Sequence, residues 1–194
     1  MDRLSWWLGP ARLASASPPL VGLGMRPIAF ADHDFLCSLY VSTRLHEVAA
    51  TGWPDIESKR FLEQQFEFQH RYYQEHYVAA DFLLLTRDTR PVGRLYWWES
   101  DRQGGRGEHR ASLIDMSLLA DERGRGVGSA LLSLMVDHAD RAGRVVELHV
   151  EATNPALRLY RRFGFEPVGG NHVYVKMRRN ARASDSTPVE ETAP

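Results

Sequence analysis

The chain has 194 residues, 43% of them hydrophobic and 25% charged, so it can bury one full core as a single domain. Its 24 Lys and Arg against 25 Asp and Glu leave a net charge of −1, which argues against a nucleic-acid or anionic-membrane partner. The lone Cys37 excludes an internal disulfide or a cysteine-based zinc site and fits a reducing cytoplasm, and no apolar run reaches the roughly 20 residues that span a bilayer.

Residues 1–24 hold Trp6, Trp7 and a Ser/Pro stretch but no sustained period of 2 or 3.6. They read as a dispensable flexible leader before a fold that opens at Met25, itself an alternative start. One Arg and a short apolar patch do not make a secretory signal. Residues 25–30 predict a short strand. Asp32 is placed to cap a helix over 33–50, with Phe35, Leu36, Leu39 and Tyr40 at helical spacing. Gly52-Trp53-Pro54 breaks it. Asp55 is placed to cap a second helix with Phe61, Leu62, Gln65, Phe66, Gln69, Tyr72 and Tyr73 along one side. Strands over 79–87 and 91–99 follow, joined at Asp88-Thr89-Arg90. Residues 102–107 are a Gly-rich loop, and 110–119 are apolar enough for a central strand. A glycine turn then feeds a helix with Leu131, Leu132, Met135, Val136 and Ala139 inward and Gly143 as its stop. Residues 145–150 predict a strand, 154–163 a short helix ended by Gly164, and 165–168 and 172–176 two closing strands. The order β-α-α-β-β-β-α-β-α-β-β is that of an α/β fold, a mixed sheet with helices packed on it. The domain spans 25–179, and 180–194, rich in Ser, Thr, Pro and Glu, read as a disordered tail.

The sharpest feature is Arg123-Gly124-Arg125-Gly126-Val127-Gly128-Ser129, between a buried strand and a helix. The first turn of a helix has about four N–H groups without intrahelical partners and roughly half a positive charge, and glycines let an anion approach closely. A Walker loop is excluded because no Lys follows the glycines. The dinucleotide fingerprint fails because the sixth position is Ser129 counted from Gly124 and Leu131 counted from Gly126. A bare G-x-G would read equally as a tight turn without a ligand. A Cβ at Gly126 is expected to meet a phosphate held there.

The turn matches R-x-x-G-x-G, and Asn154-Pro155-Ala156-Leu157-Arg158-Leu159-Tyr160-Arg161-Arg162-Phe163-Gly164-Phe165 matches N-x-x-A-x-x-L-Y-x-x-x-G-F. The two motifs, with a strand between them, resemble those of the GCN5-related N-acetyltransferases, the GNAT family. The resemblance is strong over 112–166 and extends by element order over about 25–178. It implies a mostly antiparallel sheet of six to seven strands flanked by about four helices, and acetyl-CoA as co-substrate.

The resemblance also implies roles for particular residues. The backbone of Met116, Ser117 and Leu118 would pair with the pantetheine arm and polarise the thioester carbonyl. Arg123, Gly124 and the N–H groups of Arg125, Gly126, Val127, Gly128 and Ser129 would hold the pyrophosphate. Asn154 and Tyr160 map onto positions that contact CoA and protonate the leaving thiolate, with a core aromatic as the alternative reading of Tyr160. The physical chemistry agrees. A lysine-like amine, with a pKa of about 10.4, attacks only once deprotonated, while a thiolate of pKa about 8.5 needs only a weak acid. The usual base position of the family is Ser112 here. Asp115 lies inside the strand and reads either as the base or as a buried structural acid; Glu99, His149 and Glu151 are the other candidates.

Acceptor choice in this family comes from the first two helices and their connection. Arg44, Glu47, Gln65 and Gln69 would make a polar acceptor pocket near Trp53, with Glu47 meeting a cationic amine. The eight histidines show no metal-ligand spacing, so no metal is expected. The implied activity is direct transfer of an acetyl group to a primary amine of a small molecule or peptide in the cytoplasm. The partners are an acyl-CoA and an amine acceptor, a homodimer stays open, and the alternative is a non-catalytic acyl-CoA-binding or partner-binding module.

Overall fold

A computed structural model describes residues 18–49, 52–100 and 109–182. The elements are β1 (Leu23–Pro27), α1 (His33–Ala49), α2 (Asp55–His76), β2 (Asp81–Arg87), β3 (Arg90–Ser100), β4 (Arg110–Leu118), α3 (Val127–Arg141), β5 (Val145–Glu151), α4 (Ala156–Arg162), β6 (Glu166–Gly170) and β7 (Tyr174–Arg179). The order is the one read from the sequence. The strands form one sheet, β1-β2-β3-β4-β5-β7-β6, and the pairs β1–β2, β2–β3, β5–β7 and β6–β7 are antiparallel. The chain divides into two compact units, one built from residues through Glu99 with Ser112–Leu132, the other from Ser100–Ala111 with residues from Ser133 on.

In the first unit, Leu83, Leu84 and Leu85 of β2 are all fully buried, as a strand covered on both faces requires. Leu36, Tyr40 and Val48 of α1 and Leu62 and Phe66 of α2 recur at helical spacing and close on Leu84 in one cluster. Two expected caps are not made. Asp32 ends a 3-10 turn (Phe30–Asp32) instead of capping α1. Its carboxylate accepts the Ala29 N–H and two Arg26 N–H groups, each at 2.7 Å. A short acidic side chain that closes its own turn is not available to the next helix. Asp55 is the first residue of α2, whose N-cap is Pro54, and there its charge faces the positive end of the helix.

The fold begins earlier than Met25. Pro18–Leu20 form a 3-10 turn, Leu20 and Leu23 are buried, and Leu23 and Gly24 pair with Arg87 and Thr86. One turn and two strand residues are too short to show a period, which is why the segment read as part of a leader. Residues 1–17, the Gly-rich loop at 102–107 and the tail from 183 on lie outside the described residues. Asp88 and Thr89 turn β2 into β3 with φ of 50° and 84°, and Arg87 faces Arg90 across this two-residue turn.

In the second unit, Val146, Leu148 and Val150 of β5 are buried and alternate with more exposed positions. Gly143 (φ 61°) and Gly164 (φ 83°) stop α3 and α4 as expected. The Arg144 N–H closes on the Ala139 carbonyl and the Phe165 N–H on the Tyr160 carbonyl. The Asn171 side chain accepts the N–H groups of Val173 and Tyr174, each at 2.8 Å. That local turn delays β7 to Tyr174, later than the expected residue 172.

Candidate functional site

Beyond Leu118 the chain makes a 3-10 turn (Ala120–Glu122) and extends at Arg123, with φ −78° and ψ 158°. Gly124 and Gly126 then take φ of 71° and 83°, a handedness that side chains resist. The first i→i−4 bond of α3 runs from the Ala130 N–H to the Gly126 carbonyl at 2.9 Å. The amides of Val127 and Gly128 therefore precede the ladder, at the positive end of the helix dipole. The Arg123 Nε–H donates to the Leu118 carbonyl at 2.8 Å and so folds back over the base of the turn. A Cβ built on Gly124 meets nothing within 4 Å. On Gly126 it would lie 3.0 Å from Pro19 Cγ, so the first obstacle in that direction is the protein's own N-terminal segment.

Under the turn, Glu122 is buried, and both of its oxygens accept from Arg87, at 2.8 to 3.1 Å. Arg87 also donates to the carbonyls of Val21 and Pro19. The sequence reading missed both residues.

Met116, Ser117 and Leu118 are half-buried at the end of β4. Gly93 of β3 stands against the Ser117 carbonyl, where any Cβ would overlap that oxygen. A glycine among bulky strand residues was the available signal for this close approach. Asp115 is engaged on both oxygens. Arg94 donates Nε to Oδ1 at 3.2 Å and Nη2 to Oδ2 at 2.7 Å, and Ser117 Oγ donates to Oδ1 at 2.7 Å. Arg94 also donates to Gln69 Oε1 at 3.1 Å and lies over the Tyr96 ring, 5.2 Å from its centroid. Burial pushes the Tyr96 phenol up to about 12, against the opposing pull of Arg94. An arginine in the run Val92-Gly93-Arg94-Leu95-Tyr96-Trp97 was the one sequence hint of this interior pair.

The candidate acceptor residues are only partly brought together. Arg44 pairs with Glu47 at 3.4 Å and covers the Tyr40 ring at 4.9 Å. Gln69 joins Arg94, and Trp53 packs edge-on against Phe61 at 5.4 Å. Ser112 is half-buried on β4, and Glu99 accepts the Trp97 indole N–H at 2.8 Å.

In the second unit, Asn154 Oδ1 accepts the Ala156 N–H at 2.9 Å, an Asx turn that starts α4. Tyr160 is buried, with its ring edge-on to Phe165 at 5.9 Å. On β5, His149 is exposed opposite Lys176, and Glu151 is half-buried opposite Tyr174. Among the described residues no group of three or more His, Cys, Asp or Glu could hold a metal, and no helix is long and apolar enough to cross a membrane.

A model described as the acetyltransferase (GNAT) family matches residues 42–165. The chain is 28% identical over 162 residues to a mycothiol acetyltransferase of Brachybacterium faecium. That match covers 79% of this chain and 48% of the relative, so the chain spans about half the length of that curated relative. The crystal structure of PaiA N-acetyltransferase from Thermoplasma acidophilum in complex with coenzyme A shares the fold at 14% identity and a TM-score of 0.59, over 81% of this chain and 98% of that one. So does Arabidopsis thaliana Naa50 in complex with the bisubstrate analogue CoA-Ac-MVNAL, at 20% identity and a TM-score of 0.55, over 82% and 99%. The family model takes in most of the chain, including β4, the glycine turn and the stretch from Asn154 to Phe165, and the chain therefore belongs to the acetyltransferase (GNAT) family.

Proposed function

We propose that the chain is an acetyl-CoA-dependent N-acetyltransferase that delivers the acetyl group directly to a primary amine. The observation that carries this reading is the turn at 123–128, where two left-handed glycines open a helix one short 3-10 turn after β4 in a chain of this family. Bound acetyl-CoA supplies the acyl group as an activated thioester. The amides of 125–129 and Arg123 hold its pyrophosphate, and the open side of Gly124 leaves room for that approach. The backbone of Met116, Ser117 and Leu118 holds the pantetheine arm and gives the thioester oxygen an N–H donor. Asn154 starts the helix that carries Tyr160, and Tyr160 gives its proton to the departing sulfur. Glu151 accepts the amine proton through water. Cys37, half-buried in α1 with its thiol pushed up by burial, is unsuited to a covalent step, which favours direct transfer, and an unpaired thiol favours a reducing cytoplasm.

For the acceptor, Arg44, Glu47, Trp53 and Gln69 are the contacts we propose. A small-molecule amine is supported by the mycothiol acetyltransferase relative, and a peptide amine by the analogue bound to the Arabidopsis structure. Incubation with labelled acetyl-CoA and a metabolite and peptide extract, read by mass spectrometry, should yield one labelled class. Tyr160→Phe should then slow turnover on that acceptor by about 10²–10⁴-fold, the usual loss for a general acid, with CoA affinity within a few-fold. Near wild-type turnover would make Tyr160 a core aromatic.

One observation favours a second reading, an acyl-CoA-binding module without turnover. Asp115, the carboxylate inside β4, has both oxygens engaged by Arg94 and Ser117. Tight CoA binding with no labelled product from any extract would establish it.

A further inference from the structure

We infer that Arg87, Glu122 and residues 18–22 form the support that holds the phosphate-binding turn in shape, with Arg87 as the positioning residue. The inference rests on the reading of that turn given above. Glu122 ends the 3-10 turn that leads into Arg123, and its side chain is 1% exposed. A buried carboxylate one residue from an anion-binding turn would repel the anion unless it were neutralised. Arg87 neutralises it with Nε and Nη2, which make its hydrogen bonds to arginine, while exposed Arg90 stands farther off, with Nη2 3.6 Å from Oε1.

The rest of the guanidinium is turned to the N-terminal segment. Nη1 donates to the Val21 carbonyl and Nη2 to the Pro19 carbonyl at 3.3 Å. With Nε, Nη1 and Nη2 each engaged by this segment or by Glu122, Arg87 acts through the backbone it ties down. The segment is fixed further by the Val21 N–H on the Pro18 carbonyl and the Asp88 N–H on the Gly22 carbonyl, both at 3.2 Å, and by buried Leu20. Its outermost contact is the Pro19 ring, which stands where a Cβ of Gly126 would point. One planar cation thus joins the end of β2, the approach to the turn and the wall beside it.

The test uses the full chain, with CoA as the probe. Titration calorimetry is run well below the melting temperature of each variant, and amide exchange is followed over 123–129 in the free protein. Arg87→Gln should raise the CoA Kd about tenfold or more and speed exchange over 123–129, leaving β5 and β7 unchanged. Arg87→Lys should recover part of the affinity, since it restores charge without the fork. A folded Arg87→Gln variant with Kd within twofold of wild type and unchanged exchange over 123–129 would overturn the inference.

If Arg87→Gln does not fold, the pair Pro19→Ala and Gly126→Ala decides. Removing the Pro19 ring should relieve several-fold of the Kd increase caused by Gly126→Ala, whereas additive effects would sink the wall. A wild-type chain that binds no CoA would refute the phosphate-binding reading instead, and exchange over 123–129 alone would then decide whether Arg87 holds the turn.

Discussion

Two guanidinium–carboxylate pairs in the first unit are buried from opposite sides. In one, the Arg94 side chain is 2% exposed and Asp115 13%; in the other, Glu122 is 1% exposed and Arg87 22%. The chemistry is the same, but the charge that water cannot reach is a cation in β3 and an anion below the glycine turn. A buried pair contributes little net stability against an apolar replacement, whereas removing one partner strands the other. Loss of the more exposed member should therefore cost more than loss of the buried one, because it leaves the charge with least access to solvent.

The largest test is Asp115→Ala, which leaves Arg94 without its counter-charge and should cost about 3–5 kcal/mol in urea unfolding. Arg94→Met, which leaves Asp115 nearer to water, should cost clearly less, on the order of 1–2 kcal/mol. Equal losses would break the comparison. In the second pair Arg90 stays 3.6 Å from Glu122 when Arg87 is gone, so Arg87→Met should cost about 2 kcal/mol and Glu122→Gln about 1 kcal/mol, with the more exposed member again the more expensive one to remove.

A third pair, in the second unit, sharpens the rule. Arg179 is 4% exposed and donates to both oxygens of Asp140, which is 20% exposed, at 2.7 Å. Burial alone would raise the Asp140 carboxyl, but hydrogen bonds from Arg179 and the Arg182 amide hold it below the usual value. A folded value below the unfolded one of roughly 4 means the unfolded chain takes up the proton first. The stabilisation is then complete above that pH and is lost as pH falls through the folded value. Asp140→Asn should cost about 2 kcal/mol at pH 7, and the gap from wild type should close toward pH 3 in a series of unfolding curves. A gap that stays constant down to pH 3 would remove the assignment. The smallest change leaves charge out altogether. Thr89→Gly, in the hairpin turn that follows Arg87, relieves a β-branched residue at φ 84° and should stabilise by about 1 kcal/mol. Measured in an Arg87→Met background, the gain should stay the same, which would attribute that variant's loss to charge and not to the hairpin.

What the sequence made legible is what is local. The inward stripe from Leu131 to Ala139, the stops at Gly143 and Gly164 and the glycine turn all depend on spacing within a few residues. The pairs of Arg94 with Asp115 and Arg87 with Glu122 join residues 21 and 35 positions apart. The neighbouring of β3 and β4 in the sheet joins the first pair and the 3-10 turn beyond β4 the second, so no periodicity within either segment announces them. Asp32 shows the opposite failure, a strong local signal for a cap that Arg26 and the Ala29 amide claim first. At the site, the handedness of Gly126 was readable, but the direction of its missing Cβ was not, because Pro19 approaches from over 100 positions away.

Met25 sits in the middle of β1, opposite Leu85, and is almost wholly buried. A polypeptide translated from this internal codon would carry its α-amino group there, a site of pKa about 8 and so mainly protonated at neutral pH. It would place an ammonium ion against β2 and withdraw the two carbonyls that Arg87 binds at Val21 and Pro19. Translation from this methionine would thus damage the sheet edge and the glycine turn in one step.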